Sequence, residues 1–156
     1  MLHVIFVQPE IPPNTGNAAR LCLAAGARLH LVGPLGFSLE DKFLARAGMD
    51  YWKTCDVVIW DSFEDLVCRA GIGRLWYLTT KCDRPYWEAR FQAGDGLVFG
   101  RESKGLPVSL LEKNQTSCLT IPMQQGARSL NLATSAGIVL FEAVRQLSFS
   151  APSNRH

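Results

Sequence analysis

The sequence has no Cys-x-x-Cys or Cys-x-His pair, almost no net charge, and no apolar run approaching the ~18 residues of a membrane span. Its five cysteines, Cys22, Cys55, Cys68, Cys82 and Cys118, are odd in number and widely scattered. That excludes a zinc-ligand pattern and reads as reduced, mostly buried thiols. Sixteen Lys and Arg against 14 Asp and Glu leave a formal charge of +2, so any affinity for nucleic acid has to come from a local patch. The opening apolar stretch, residues 3–7, has neither a basic leader nor a small-residue cleavage site, and Gln8-Pro9-Glu10 ends it at once. It reads as a strand and not a signal, so a soluble cytoplasmic protein with no membrane partner and no metal is expected. In that compartment the Asn114-Gln115-Thr116 sequon has no meaning.

What is present is enough to build one substantial core: 156 residues, 47% of them hydrophobic and 19% charged. Short continuous apolar runs recur at residues 4–7, 29–32, 57–60, 75–78, 97–99 and 118–121. Runs without alternation predict strands buried on both faces, as in a parallel sheet. Between them lie stretches of helical period: Ala18, Leu21, Cys22 and Ala25; Phe43, Leu44 and Ala47; Phe63, Leu66, Val67 and Ala70. Gly26, Gly48 and Gly71 follow these stretches where helix ends favour glycine. Strand and helix alternate, so the fold class is an open α/β domain. The longest predicted helix spans about residues 131–147, and its apolar arc, widened by Ile138 and Phe141, needs a second surface, which either an internal wrapping segment or a partner subunit could supply; a homodimer is preferred. The domain is expected over residues 1–148, with a flexible tail at 149–156.

Three Gly- or Asn-rich segments stand at predicted strand ends, where open α/β sheets place ligands. The first is Pro12-Pro13-Asn14-Thr15-Gly16-Asn17-Ala18-Ala19-Arg20. Helix capping by Asn14, Thr15 or Asn17 would explain one or two of these residues but not all. Arg20 lies opposite the apolar stripe of its helix, where an arginine is ordinarily a solvated charge. The second is Phe99-Gly100-Arg101-Glu102-Ser103-Lys104-Gly105-Leu106-Pro107. Gly100 and Gly105 have the spacing of a P-loop, but Leu106-Pro107 stands where that loop needs Lys and Ser or Thr, which rejects a nucleoside triphosphate site. Gly71-Ile72-Gly73 follows a helical stretch and lacks a third glycine, so it is no dinucleotide fingerprint. The third runs from Ile121-Pro122-Met123 through Arg128-Ser129-Leu130-Asn131-Leu132 into the last helix. Ser129 or Asn131 could cap that helix, whose start also suits carboxylate or carbonyl oxygens of a ligand.

Taken together, in this order and spacing, the segments resemble the three motifs of the SPOUT methyltransferase superfamily. The motifs are Asn14-x5-Arg20, then Phe99-Gly100-x-Glu102-x2-Gly105-Leu106-Pro107, then Ile121-Pro122-Met123 with Ser129-Leu130-Asn131-Leu132. The stretches Glu10-Ile11-Pro12-Pro13-Asn14-Thr15-Gly16-Asn17 and Arg46-Ala47-Gly48-Met49-Asp50-Tyr51 are similar to the TrmL-type subgroup, which modifies the tRNA wobble nucleotide. The resemblance covers about residues 4–147. It implies an open parallel sheet whose C-terminal part forms a deep trefoil knot, and a homodimer built partly by the first and last helices. It also implies S-adenosylmethionine as methyl donor, leaving as S-adenosylhomocysteine, held largely by backbone groups of three loops. The cofactor contacts it implies are Leu78, Thr79, Gly100, Glu102, Ile121, Met123, Ser129 and Leu130. Phe141 stands where some close members carry tyrosine.

The implied reaction is attack of a wobble-ribose 2′-hydroxyl, of cytidine or a modified uridine in the tRNA anticodon stem-loop, on the donor methyl. Such a site must orient the hydroxyl, withdraw its proton and hold the adjacent phosphate. The resemblance places Asn14, Arg20, Glu102 and Asn131 at this centre, with Ser129 touching cofactor and substrate. A guanidinium is a poor base, so Arg20 is assigned to the phosphate and the 2′-oxygen. Lys42, Arg46, Arg101, Lys104 and Arg128, with Arg20, are the candidate RNA contacts, each of them a solvated charge by default. Trp52 and Trp87, flanked by polar residues, are the aromatics best placed to stack on bases, against the commoner role in a core. Two other readings stay open: the same chemistry on another tRNA position or on rRNA, and a catalytically silent dimeric RNA-binding module.

Overall fold

The structure, a computed structural model, describes residues 1–40 and 50–150. Strands β1 (His3–Val7), β2 (Arg28–Val32), β3 (Val57–Trp60), β4 (Leu75–Leu78), β5 (Gly96–Phe99) and β6 (Cys118–Leu119) form one sheet in the order β3-β2-β1-β5-β4-β6. Every pairing is parallel, with Ile5 opposite His30 on one side and Val98 on the other. Each of the six apolar runs contributes a strand, the last shortened to two residues.

The lack of alternation has the expected cause. Every residue of β1 and β5 is buried, and the period of two divides them between two cores. Val4, Phe6, Leu97 and Phe99 face helices α1 (Pro12–Ala25) and α4 (Leu132–Ser150). Ile5, Val7 and Val98 face helices α2 (Phe63–Arg69) and α3 (Val108–Lys113), through Leu66 and Leu111. Fully buried side chains such as Phe6, Leu29, Leu97 and Leu140 each contribute about 1.5–3 kcal/mol through the area removed from water. The edge strand β3 is only partly covered, leaving Ile59 half exposed.

Helix α1 starts at Pro12, a turn and a half before its apolar period, because its first turn buries the polar residues Asn14 and Thr15. Pro12 and Pro13 suit that turn, where no N–H is needed for the helix ladder. It ends at Gly26, whose φ of 65° a residue with a Cβ adopts only at a cost. Gly48 and the helical period around Phe43 lie outside the described residues. Helix α4 packs across α1, with the Leu21 methyls 3.4 and 3.5 Å from where a Gly137 Cβ would stand. It runs on through Ser150, past the last apolar repeat at Leu147. Gln146 of α4 accepts from Phe91 N at 2.9 Å and donates to Ala89 O at 3.0 Å, tying the segment ahead of β5 to the helix.

One polar chain runs beneath β1, β2 and β3. Trp60 Nε1 donates to His30 Nδ1 at 2.9 Å, which leaves His30 Nε2 to donate to His3 Nδ1, also at 2.9 Å. Both imidazoles are therefore held neutral. Burial is the main cause of their lowered pKa values, and His30 is brought down to about 4. The cysteines are free thiols, and burial pushes Cys22 up to about 12, far from reactivity.

Candidate active site

The C-terminal ends of β1, β5, β4 and β6 converge on one cleft with a volume of about 510 Å³. That is within the roughly 300–1,000 Å³ of small-molecule sites. Four chain segments supply its walls: Ile11 and Asn14 after β1, residues 78–81 after β4, residues 99–106 after β5, and a wall from Thr120 to Ser135 between β6 and α4. The wall after β5 depends on close backbone packing. A Cβ on Gly100 would overlap the backbone of Gly105 and Leu106. Gly105, at φ 65°, turns the chain so that its N–H reaches Arg101 O at 2.8 Å.

Three side chains from distant parts of the sequence meet here. Asn131, at the start of α4, accepts from Thr134 N at 3.1 Å and so caps the helix, while its Nδ2 donates to Asn14 Oδ1 at 2.8 Å. Asn14 Nδ2 in turn donates to Glu102 Oε1 at 3.2 Å. Because each amide has one donor end and one acceptor end, the chain has a single direction, from the α4 backbone through two asparagines to a carboxylate that only accepts. Glu102 also receives Glu10 N at 2.7 Å and Ile11 N at 3.1 Å. With three donors on its two oxygens, this group orients its surroundings and is poorly placed to abstract a proton. Asn14, although one of the candidate caps of α1, makes no cap; Ile11 is the N-cap residue and its side chain gives no bond.

Of the sequence-predicted residues, Asn14, Leu78, Thr79, Gly100, Arg101, Glu102, Lys104, Ile121, Met123, Ser129, Leu130 and Asn131 all line the cleft. Thr79 N is committed to Leu119 O at 2.9 Å, so any ligand contact there falls to its other atoms. Arg20 is exposed on α1, and neither it nor Arg128 is on the cleft wall. Lys42 and Arg46, and most of the stretch around Arg46 that carries part of the resemblance, lie outside the described residues. Trp52 packs against the core beneath α1 and α4, whereas Trp87 is 54% exposed and Phe141 43%.

Sequence reasoning missed Lys81, Ile11 and Ser135 on the wall, and the carboxylate of Glu10, which accepts from Ser103 N at 3.0 Å and Ser103 Oγ at 2.6 Å. A lone lysine after a strand carries no distinguishing signal. Glu10 had one, its place between a strand end and Pro12-Pro13, but nothing local named its partner. Among the described residues no group of His, Cys, Asp and Glu could hold a metal ion, and no helix is long and apolar enough to cross a membrane.

Comparison with known proteins returns one family over most of the chain: residues 1–141 match the SpoU rRNA Methylase family. A tRNA (cytidine(34)-2′-O)-methyltransferase of Saccharophagus degradans is 44% identical over 151 residues, covering 96% of this chain and 98% of the relative. A solved structure from work on the 2-OH methylation of C/U34 on tRNA superposes with a TM-score of 0.86 at 44% identity, covering 96% of this chain and 97% of that one. The SpoU methyltransferase AviRb of Streptomyces viridochromogenes, in complex with AdoMet, gives a TM-score of 0.81 at 26% identity, covering 96% of this chain and 62% of its own.

Proposed function

The chain belongs to the SpoU rRNA methylase family, and from that premise we propose that it methylates the ribose 2′-hydroxyl of the wobble nucleotide in the tRNA anticodon loop, using S-adenosylmethionine. The observation that carries this reading is the directed chain from Asn131 through Asn14 to Glu102, which joins three loops at the mouth of a cleft of cofactor size. The relatives named for cytidine(34) supply the substrate, and the AdoMet complex of a structural neighbour supports the donor. The residues present suit that donor: glycine-tight backbone at Gly100, apolar Leu78, Ile121 and Leu130, and the polar start of α4.

When bound, S-adenosylmethionine supplies an electrophilic methyl on a sulfonium. The protein's own task is geometric, since an in-line displacement rewards orientation and tolerates little misplacement. Leu78, Thr79, Gly100, Ile121, Met123, Ser129 and Leu130 hold the cofactor in this reading, with Glu102 bracing their loops. Asn14 and Asn131 set the position of the acceptor ribose, and Arg20 holds the 2′-oxygen and its phosphate. Because Arg20 lies off the wall of its own cleft, it acts across a homodimer or on RNA laid over α1. The exposed apolar Leu23 on α1 and Phe141 on α4 favour a dimer through those helices. Lys42, Arg46, Arg101, Lys104 and Arg128 grip the RNA backbone, beside Lys81 on the wall. The domain spans residues 1–148 with a short tail, its C-terminal part drawn into a trefoil knot, and it works in the cytoplasm. The knot is what the resemblance to the SPOUT superfamily implies, and the parallel bridge between Pro85 and Thr120 sets the segment after β6 beside the one after β4.

Nucleoside mass spectrometry of tRNA incubated with the protein and S-adenosylmethionine tests the reading. A 2′-O-methylated wobble nucleotide is expected, and an unmodified wobble ribose refutes the substrate. Arg20→Ala is expected to lower methyl transfer about 100-fold while S-adenosylhomocysteine affinity stays within twofold, read by calorimetry; normal turnover removes Arg20 from the centre.

A further inference from the structure

The turn after β5 and the loop after β1 are joined by two carboxylates, one from each, and only Glu102 has so far been given a role. Glu102, on the turn, accepts the backbone N–H groups of Glu10 and Ile11. Glu10 returns the interaction, its Oε1 accepting Ser103 N at 3.0 Å and Ser103 Oγ at 2.6 Å. We propose that Glu10 is a positioning residue whose carboxylate latches the turn of residues 100–105 in the shape that receives the cofactor. This inference rests on the methyltransferase reading above and deepens it.

Three observations support a built latch against the alternative of a solvated surface glutamate. First, the bonds are reciprocal and span about ninety residues of sequence, so they close one loop upon another where a local turn would bond to itself. Second, the Glu10 backbone is fixed from behind. Gly36 N donates to Pro9 O at 3.0 Å, and a Cβ on Gly36 would stand 2.9 Å from Glu10 Cα, so only glycine lets that segment abut it. Gln8, at φ 54°, holds the left-handed conformation that turns the chain into this loop and donates its N–H to Val32 O at 2.7 Å. A non-glycine residue held there is uncommon and indicates that its surroundings over-determine it. Third, every residue from 99 to 106 lines the cleft, so a shift at Ser103 is passed to Gly100 and Glu102. Arg101 and Lys104 on the same turn add attraction to the Glu10 carboxylate.

The test is calorimetric titration of S-adenosylhomocysteine into Glu10→Ala, Glu10→Gln and Ser103→Ala, with kcat and KM for methyl transfer and a thermal melt of each. Glu10→Ala is expected to weaken S-adenosylhomocysteine binding about tenfold and to raise KM for S-adenosylmethionine more than it lowers kcat. Glu10→Gln keeps an acceptor oxygen within reach of both Ser103 donors and is expected to restore most of the affinity. Ser103→Ala removes only the hydroxyl bond and is expected to cost about threefold. Wild-type affinity in Glu10→Ala, or equal loss in Glu10→Ala and Glu10→Gln, overturns the latch. If Glu10→Ala melts below the assay temperature, Ser103→Ala decides, and unchanged affinity there overturns it too. A wild-type protein that neither binds S-adenosylhomocysteine nor methylates tRNA refutes the methyltransferase reading instead, so the two failures are distinguishable.

Discussion

Two of the side-chain networks among the described residues differ in almost every respect. The His3, His30 and Trp60 chain links neighbouring strands, is neutral throughout, and lies beneath the sheet. The Asn131, Asn14 and Glu102 chain links loops up to 117 residues apart, ends on a carboxylate, and opens on a cleft. The first makes a buried polar pair tolerable by satisfying it internally. The second places polar groups where the sheet has run out and leaves them facing a ligand-sized space. Polar networks of both kinds rigidify, but only the one at the strand ends has anywhere to put a substrate.

The largest effect expected from disturbing this contrast is at Gly100, beneath the second network. Gly100→Ala forces a Cβ into the Gly105 and Leu106 backbone, so S-adenosylhomocysteine binding should be lost and the fold destabilised by about 3 kcal/mol, read by calorimetry and urea unfolding. Retained affinity would mean that the turn can open without cost.

The first network should appear in acid stability and nowhere else. The folded pKa of His30, about 4, lies below the ~6.5 of an unfolded histidine, so between these values the unfolded chain binds the extra proton. Stability is thus whole above pH ~6.5 and falls by about 3 kcal/mol as pH drops to about 4, below which this contribution levels off. His3, lowered for the same main reason, adds in the same direction. Urea unfolding at a series of pH values measures the slope, and His30→Leu should flatten it. An unchanged slope in that variant assigns the acid sensitivity to other groups.

A smaller change probes the direction of the second network. Glu102→Gln keeps the shape but turns one of the two acceptor oxygens into an NH2 group, which is set against either Glu10 N or the pair Ile11 N and Asn14 Nδ2. Methyl transfer should fall about 30-fold, equivalent to about 2 kcal/mol, with the melting temperature nearly unchanged. If activity survives, the directed chain is not what orients the ribose.

Much of the fold was legible because burial writes itself into local pattern. The runs at residues 4–7 and 97–99 lack alternation because both faces of β1 and β5 are covered, and the glycines at 26 and 71 sit at φ 65° and 66° as helix ends require. The start of α1 was not legible, since Asn14 and Thr15 are buried there and a hydrophobic period cannot register buried polar residues. For the site, the resemblance gathered Asn14, Glu102 and Asn131 into one place, but it did not say that Asn14 bridges the other two or that Glu102 spends its oxygens on backbone amides. Glu10 lies in a stretch that resembles the subgroup but had no role there, because its partner Ser103 is set by packing between loops and not by any spacing along the chain.

The sequence by itself determined the alternation of strand and helix and the two-sided burial of the central strands. Those follow from short-range period and steric rules that each residue carries with it, whereas the methyl donor and its contacts came only from the resemblance of three motifs to a known family. Only the tertiary structure decided which oxygen answers which N–H, since parallel strands bring together residues far apart in the chain and hydrogen bonds depend on distance and direction that no local pattern encodes.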